Sequence, residues 1–452
     1  MKKLIYILIF IILCTGCSDF LEIKPDKKMS VPKTLEDCEL LLNDYGTLNS
    51  AYTALGIIAG EPYYLNSPNW NSIADLDDRN AYIWSEEPNF KTQAWQGPYR
   101  VVYICNQIMQ ILDKLTVAEK ESARFKAACG HARFLRAFAY QELISVYTLP
   151  YNVKTADIEL GVPIRLMPDI DVVSKRASLQ DSYKQVISDY QAALGFLDVK
   201  TTIQTGTSKS AAYAGLARLF LDMKDYDKAY RYADSAWSLK PYLLDYNTLN
   251  SGANFPITKY NQEVLFSALT VSSNAFGRNY IRMNPDLIAS YQVGDLRKEN
   301  YFQPNLVDLG TFGFKGSYDG GPGGAFIGLT SSEVLLIRAE SAARLQKIDE
   351  ALKDVNFLRK YRWTDHIYPI VTEQEPNRLL DIILQERGKE LVFRGRRWSD
   401  IKRLSDDPHR AIYLERIIDN KTYSLPIGSL KYAIQIPAIV MEQNPNIKPN
   451  KR

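Results

Sequence analysis

Residues 213–241 restrict the fold more than any other stretch of the chain. Tyr213, Leu216, Ala217 and Phe220 recur at helical spacing, Ala229, Ala233 and Ala236 do so again after a short break, and Pro241 closes the pattern. The alanines let two antiparallel helices approach closely, while Tyr213 and Phe220 fill the space above them. A looser copy occupies 334–361, with Ala339, Ala342 and Ala343 before a turn and Ala351 and Val355 after it. A single helix pair cannot bury its apolar face alone, so repeated pairs imply a stack.

The spacing in 213–241 follows the tetratricopeptide pattern, which defines packing and leaves the ligand undefined. Other segments carry the same period. Thr34 is a candidate N-cap ahead of Leu35, Cys38, Leu41 and Leu42 on one face. Helices are predicted over 95–115, 118–147, 178–197, 210–223, 226–239 and 379–393. Within 118–147, Ala132, Leu135, Ala139, Leu143 and Val146 form a continuous stripe, and Phe134 and Phe138 beside it predict cover on more than one side. Residues 60–94 read as loop, and the last forty residues as irregular, with Pro426, Pro437, Pro445 and Pro449.

Between 242 and 331 the period is lost. The run 263–269 is strand-like, while Gly310, Gly313, Gly316 and the block 320–324 mark turns. Aromatics are interleaved there: Tyr301, Phe302, Phe312, Phe314, Tyr318 and Phe326. A loop region of this length inside a helical array is usually functional. The predicted class is therefore mostly α, with tetratricopeptide-like helix pairs and a loop-rich, partly β insertion.

The N-terminus has the form of a lipoprotein leader. Lys2 and Lys3 precede the apolar run 4–13, and Thr15 and Gly16 sit just before Cys17. The apolar run is too short to span a bilayer, which takes about 20 helical residues. Cleavage before Cys17 leaves its thiol as the lipid attachment point. The expected organisation is a signal peptide over 1–16, a lipidated tether over 17–33, an N-terminal helical part over 34–241, the loop-rich region over 242–331 and a C-terminal helical part with its tail over 332–452. Of the other cysteines, Cys14 leaves with the leader. Cys38, Cys105 and Cys129 match no zinc spacing and read as buried thiols, with a Cys105–Cys129 bridge left open.

A formal charge of +3 with no basic tract argues against nucleic acid. Catalytic motifs are missing as well. His131, His366 and His409 form no metal-binding pattern, the glycine block 320–324 lacks the Lys-Ser/Thr of a phosphate loop, and no G-x-S-x-G elbow occurs. Asp75, Asp77 and Asp78 near Trp70 and Trp84 offer the carboxylates that glycoside hydrolysis needs, but neighbouring aspartates more often cap loops. No catalytic residue, cofactor or metal ligand is assigned. Glu386, Arg387 and Glu390 share a helical face with Ile383 and Leu391, which predicts an arginine–carboxylate lattice locking the C-terminal helices. Sugar rings stack their axial C–H groups on aromatic faces while their hydroxyls seek polar side chains. The candidate ligand platforms are Tyr63, Tyr64 and Trp70 in the first loop region, and Phe312 and Tyr318 in the second.

Several segments together carry a resemblance: CSDFLEIKP at 17–25, HARFLRAFAYQELISVY at 131–147, GVPI at 161–164, ARLFLDMKDYDKA at 217–229, EVLLIRAESAAR at 333–344, ERGKELVFRGRRWSDIKR at 386–403 and IQIPAIVMEQNPN at 434–446. In this order they resemble the RagB/SusD family of surface lipoproteins. The resemblance implies a SusD-like helical fold, lipid anchoring to the outer membrane with the body on the extracellular face, and a TonB-dependent SusC-like transporter as partner. It also implies capture of oligosaccharide or peptide without catalysis. Arg394 departs from the family pattern, which commonly has Glu before this glycine, so local ion pairing there is expected to be rewired. The rival readings are a periplasm-facing helical-repeat scaffold and a glycan-degrading enzyme.

Overall fold

The computed structural model describes residues 31–169, 171–199, 201 and 204–452. The leader and Cys17 lie outside the described residues. Helix α1 (Leu35–Leu42) starts as the sequence predicts: Thr34 caps it, and Asp37 closes a capping box by accepting from the Thr34 amide at 2.9 Å. Short helices α2 (Leu55–Gly60) and α3 (Leu76–Tyr82) follow, so 60–94 is more ordered than a plain loop.

The body is a run of helices, each packed on the next. α4 (Gln93–Asp113) packs on α5 (Ala123–Tyr147), α5 on α6 (Leu179–Leu194), α6 on α7 (Lys209–Asp222), and α7 on α8 (Tyr226–Leu239). After the insertion, which holds α9 (Pro285–Ser290), the stack resumes. α8 meets α10 (Ser331–Arg344), and α10 meets α11 (Ile348–Lys360) and α12 (Pro376–Glu390); α13 (Arg397–Arg403) closes against α2.

The small residues of 213–241 do what their spacing requires. Ala217, Ala229, Ala233 and Ala236 are buried, and the Tyr232 ring stacks on Phe220 at 5.4 Å and lies 6.2 Å from Tyr213. At Gly215 a Cβ would stand 2.5 Å from the Tyr190 ring, so the α6–α7 contact leaves no room for one. The second pair repeats the scheme, with Ala339, Ala342 and Ala343 of α10 against Ala351 and Val355 of α11 and Leu379 and Ile383 of α12. Because α5 is covered on several sides, it must also bury charge. Arg136 forks onto Asp189 of α6 at 2.8 and 2.6 Å, and Glu142 accepts from Arg396 at 3.0 Å. The thiols of Cys38, Cys105 and Cys129 are free and buried, and burial pushes Cys38 up to about 11 and Cys105 to about 12.

Strands in the described residues are short antiparallel pairs: β1 (Tyr63–Tyr64) with β3 (Arg282–Met283), β2 (Val264–Phe266) with β6 (Leu329–Thr330), and β4 (Phe302–Pro304) with β5 (Phe312–Phe314). The last forty residues are not irregular throughout. They contain a hairpin, β7 (Leu414–Ile418) and β8 (Lys421–Leu425), turning at Asp419 and Asn420, both at positive φ as tight hairpins need. Arg416 occupies an inward position on β7 and hides the alternation. Its guanidinium lies 3.8 Å from the Tyr82 ring centroid and donates to the carbonyls of Ile58 and Ala59 at 3.0 and 3.1 Å. Asn450 is pinned in turn, donating to the carbonyls of Tyr147 at 3.0 Å and Ile434 at 2.7 Å and accepting from Arg176 at 2.8 Å.

Candidate functional site

The insertion opens a cleft of about 360 Å³. Its aromatic walls are Phe255, Phe276, Tyr280 and Phe314, with Phe393 behind, and Phe314 stacks on Phe393 at 4.7 Å. Arg278 and Lys315 supply the cations. The Arg278 guanidinium lies 5.0 Å from the Phe255 ring centroid and donates to the Asn254 carbonyl at 3.3 Å, which holds the fork across the wall. Lys315 donates to the carbonyls of Ser251 and Ala253, and burial lowers its pKa. Asn274 and Asn279 add exposed amides at the rim.

Glycine shapes two sides of this cleft. The block 320–324, read from sequence as a turn, forms one wall, and at Gly324 a Cβ would stand 1.7 Å from the Thr270 carbonyl oxygen. At Gly313 it would stand 2.4 Å from the Arg278 carbonyl oxygen. Both backbones approach a neighbour more closely than any side chain allows.

The candidates from sequence divide. Tyr63 is a core residue, 5 % exposed, and its ring packs on Tyr82 and Phe393 at 5.7 Å each. Tyr318 is fully buried, with its hydroxyl 3.1 Å from that of Tyr246. Neither presents a face to a ligand here, because residues distant in sequence cover both. Tyr64 is exposed beside Arg282 on the β1–β3 pair. Trp70 is half-buried, donating from Nε1 to the Arg79 carbonyl at 3.3 Å with the Arg79 guanidinium 5.3 Å from its ring. Phe312 is half-buried on β5, two residues from Phe314. None of the five candidates lines the cleft; Phe255, Phe276, Arg278 and Tyr280 do, and the sequence reading missed them.

The aspartates of α3 are occupied structurally. Asp75 caps the helix and meets Lys91 at 2.6 Å, while Asp77 accepts the amides of Phe90 and Lys91 at 2.7 Å each. Asp78 accepts from the Ser273 hydroxyl behind the cleft, and burial pushes its carboxyl up to about 6. In the C-terminal block the predicted lattice is present. Arg297 reaches Glu386 at 2.7 Å, Arg362 joins Glu390 at 2.7 Å to Glu263 at 3.0 Å, and Arg387 meets Asp400 at 2.9 Å. Burial alone would raise Glu386, but Arg297 and Lys389 overcome it and hold the carboxyl down at about 2. Among the described residues Arg394 forms no ion pair within 4 Å and stacks on Tyr318.

These features define a helical-repeat protein with an aromatic, polar-rimmed cleft in a loop insertion. The family model described as starch-binding associating with outer membrane matches residues 19–221, and the SusD family model matches 329–450. The chain belongs to the SusD/RagB family. It is 22% identical to SusD-like protein P2 of Formosa agariphila over 100% of this chain and 99% of that one. Its fold matches a SusD superfamily protein from Bacteroides thetaiotaomicron at a TM-score of 0.73 and 22% identity, covering 93% of this chain and 100% of that one. A SusD-like carbohydrate binding protein from Bacteroides vulgatus matches at 0.68 and 20% identity, covering 92% and 98%. Among the described residues no helix is long and apolar enough to cross a membrane.

Proposed function

We propose that the protein captures oligosaccharide in the cleft of the insertion, at the outer-membrane surface, and passes it to a TonB-dependent, SusC-like transporter. One observation carries the reading: aromatic faces at Phe255, Phe276 and Tyr280 stand beside the Arg278 guanidinium and the Asn274 and Asn279 amides in one cleft. Sugar C–H faces stack on the rings, and the polar groups take the hydroxyls. The starch-binding description of the matching family model supports a glycan, as does the B. vulgatus relative described as carbohydrate binding. Lipid on Cys17 would hold the body at the membrane.

Hand-over requires a partner surface near the cleft. The loop joining β4 to β5 exposes Leu306 at 90%, Val307 at 95% and Leu309 at 84%. Apolar side chains this bare suit a protein partner, and β5 carries Phe314 from that loop into the cleft wall. Docking on the transporter and ligand release would then share one hairpin.

Calorimetric titration with maltodextrin and a panel of plant and host oligosaccharides and peptides tests the capture reading. The expected result is a saturable glycan signal, weakened at least tenfold by Arg278→Ala or Phe255→Ala. Binding confined to peptides, or a glycan signal indifferent to both variants, rejects it.

A further inference from the structure

A second cleft, of about 670 Å³, lies between α9, the C-terminal half of α12, α13 and the segment after it. The proposed glycan capture does not use it. Charged side chains line it, and most are paired. Asp400 accepts from Arg387 at 2.9 Å and Arg403 at 2.8 Å, Lys389 meets Glu386 at 2.6 Å, and Arg410 meets Asp381 at 2.7 Å.

Three of its side chains each keep one buried polar atom without a partner among the described residues, while the exposed Asp286 at the rim forms no ion pair. The half-buried Arg397 side chain has no ion pair or hydrogen bond among the described residues, and its Nε is sealed from water without a partner. Glu61 is 3% exposed; its Oε2 accepts from the Phe393 amide at 2.9 Å, and its Oε1 has no donor. Arg387, 2% exposed, leaves Nη1 unpartnered. Loss of water raises the Glu61 carboxyl to about 7 and lowers Arg397, with Asp400 and Glu61 acting on Arg397 from a distance. Buried polar groups without partners are costly, and native proteins keep few of them unless something binds there.

A ligand that satisfies both groups offers an anion to the guanidinium and a donor to the carboxylate. A carboxylate with a nearby hydroxyl offers both, since arginine takes carboxylates in forked geometry. We propose that this cleft binds a hydroxylated carboxylate, with Arg397 holding the carboxylate and Glu61 accepting from the hydroxyl. The ligand is either a uronate unit within a glycan chain or a free hydroxy acid.

Titration of the full chain with galacturonate, trigalacturonate, lactate and galactose tests this. Galacturonate is expected to bind saturably and galactose not to bind. Tighter binding of trigalacturonate than of the monomer points to a glycan unit, and equal binding of lactate to a free acid. Arg397→Gln should weaken the acid at least tenfold, with Arg397→Lys recovering part of the loss. Ser290→Trp, at the exposed rim, should block the cleft without disturbing its charged floor, and so reads out the site even where Arg397→Gln fails to fold. Arg278→Ala in the other cleft should leave the binding of lactate and monomeric galacturonate unchanged. Silence toward every acid, or acid binding lost in Arg278→Ala and kept in Arg397→Gln and Ser290→Trp, overturns the proposal and leaves the capture reading to its own test.

Discussion

The guanidinium of Arg394 sits 3.1 Å from the ring centroid of Tyr318. The contact covers the aromatic that the sequence offered as a ligand platform. Tyr318→Ala should therefore behave as a core truncation. A loss of about 3 kcal/mol is expected in urea unfolding, the scale of large-to-small changes in a packed interior. Maltodextrin affinity of the folded fraction should stay within twofold, and a tenfold drop with stability unchanged would instead return Tyr318 to the ligand.

Arg362 holds Glu263 of the insertion and Glu390 of α12 together while donating to the Leu244 carbonyl at 2.7 Å. Arg362→Met strands two buried carboxylates. It should cost about 3–5 kcal/mol, the range for breaking a buried pair from one side. Adding Glu263→Gln and Glu390→Gln to the same chain should recover part of that loss, and chemical denaturation of the single and triple variants compares them.

Gly324 and Gly321 belong to one glycine block yet should respond oppositely. An alanine Cβ at 324 meets the Thr270 carbonyl oxygen at 1.7 Å, whereas at 321 it meets nothing within 4 Å. Gly324→Ala is expected to cost about 1–3 kcal/mol through forced backbone shifts and to weaken glycan binding. Gly321→Ala should stay within about 0.5 kcal/mol. Thermal melts paired with titration separate the two.

The pH dependence of stability should carry a signature of Glu61. Burial raises its folded pKa from the ordinary 4.5 to about 7, so between these values the folded state holds a proton that the unfolded state has released. Its contribution is complete below pH 4.5 and is lost as pH rises through 7. Relative to Glu61→Gln, the unaltered chain should lose about 3 kcal/mol between pH 4.5 and pH 8. Parallel denaturation profiles across that window would contradict the assignment.

Helices were legible because their signal is local. The alanines of 213–241 and the stripe through Leu135 and Leu143 state a period that packing only has to honour, and α8 runs over Tyr226–Leu239 as its spacing predicts. The hairpin after Tyr413 was not legible, since Arg416 faces inward and breaks the alternation that marks a strand. The lattice around Glu386 could be expected because charges on an apolar helical face need partners. The cleft could not be read, because exposure depends on what lies overhead. Phe312 and Phe314 look alike in sequence, but Phe314 reaches the cleft wall against Phe393, seventy-nine positions away. The wall at Phe255, Arg278 and Tyr280 carries no motif, and its one sequence cue was the glycine block beside it.

The anchoring of Arg416 and Asn450 sets an order of events for the nascent molecule. Arg416 closes on the carbonyls of Ile58 and Ala59, 358 and 357 positions upstream, and Asn450 on that of Tyr147, 303 positions upstream. The early helices can form as soon as they are made, but the places where these late residues dock stay open until nearly all of the chain has emerged. Such high contact order slows the final closure and leaves apolar surface bare in the interim. A chain halted before residue 416 would therefore be a substrate for chaperones and proteases rather than a smaller working version of the same molecule.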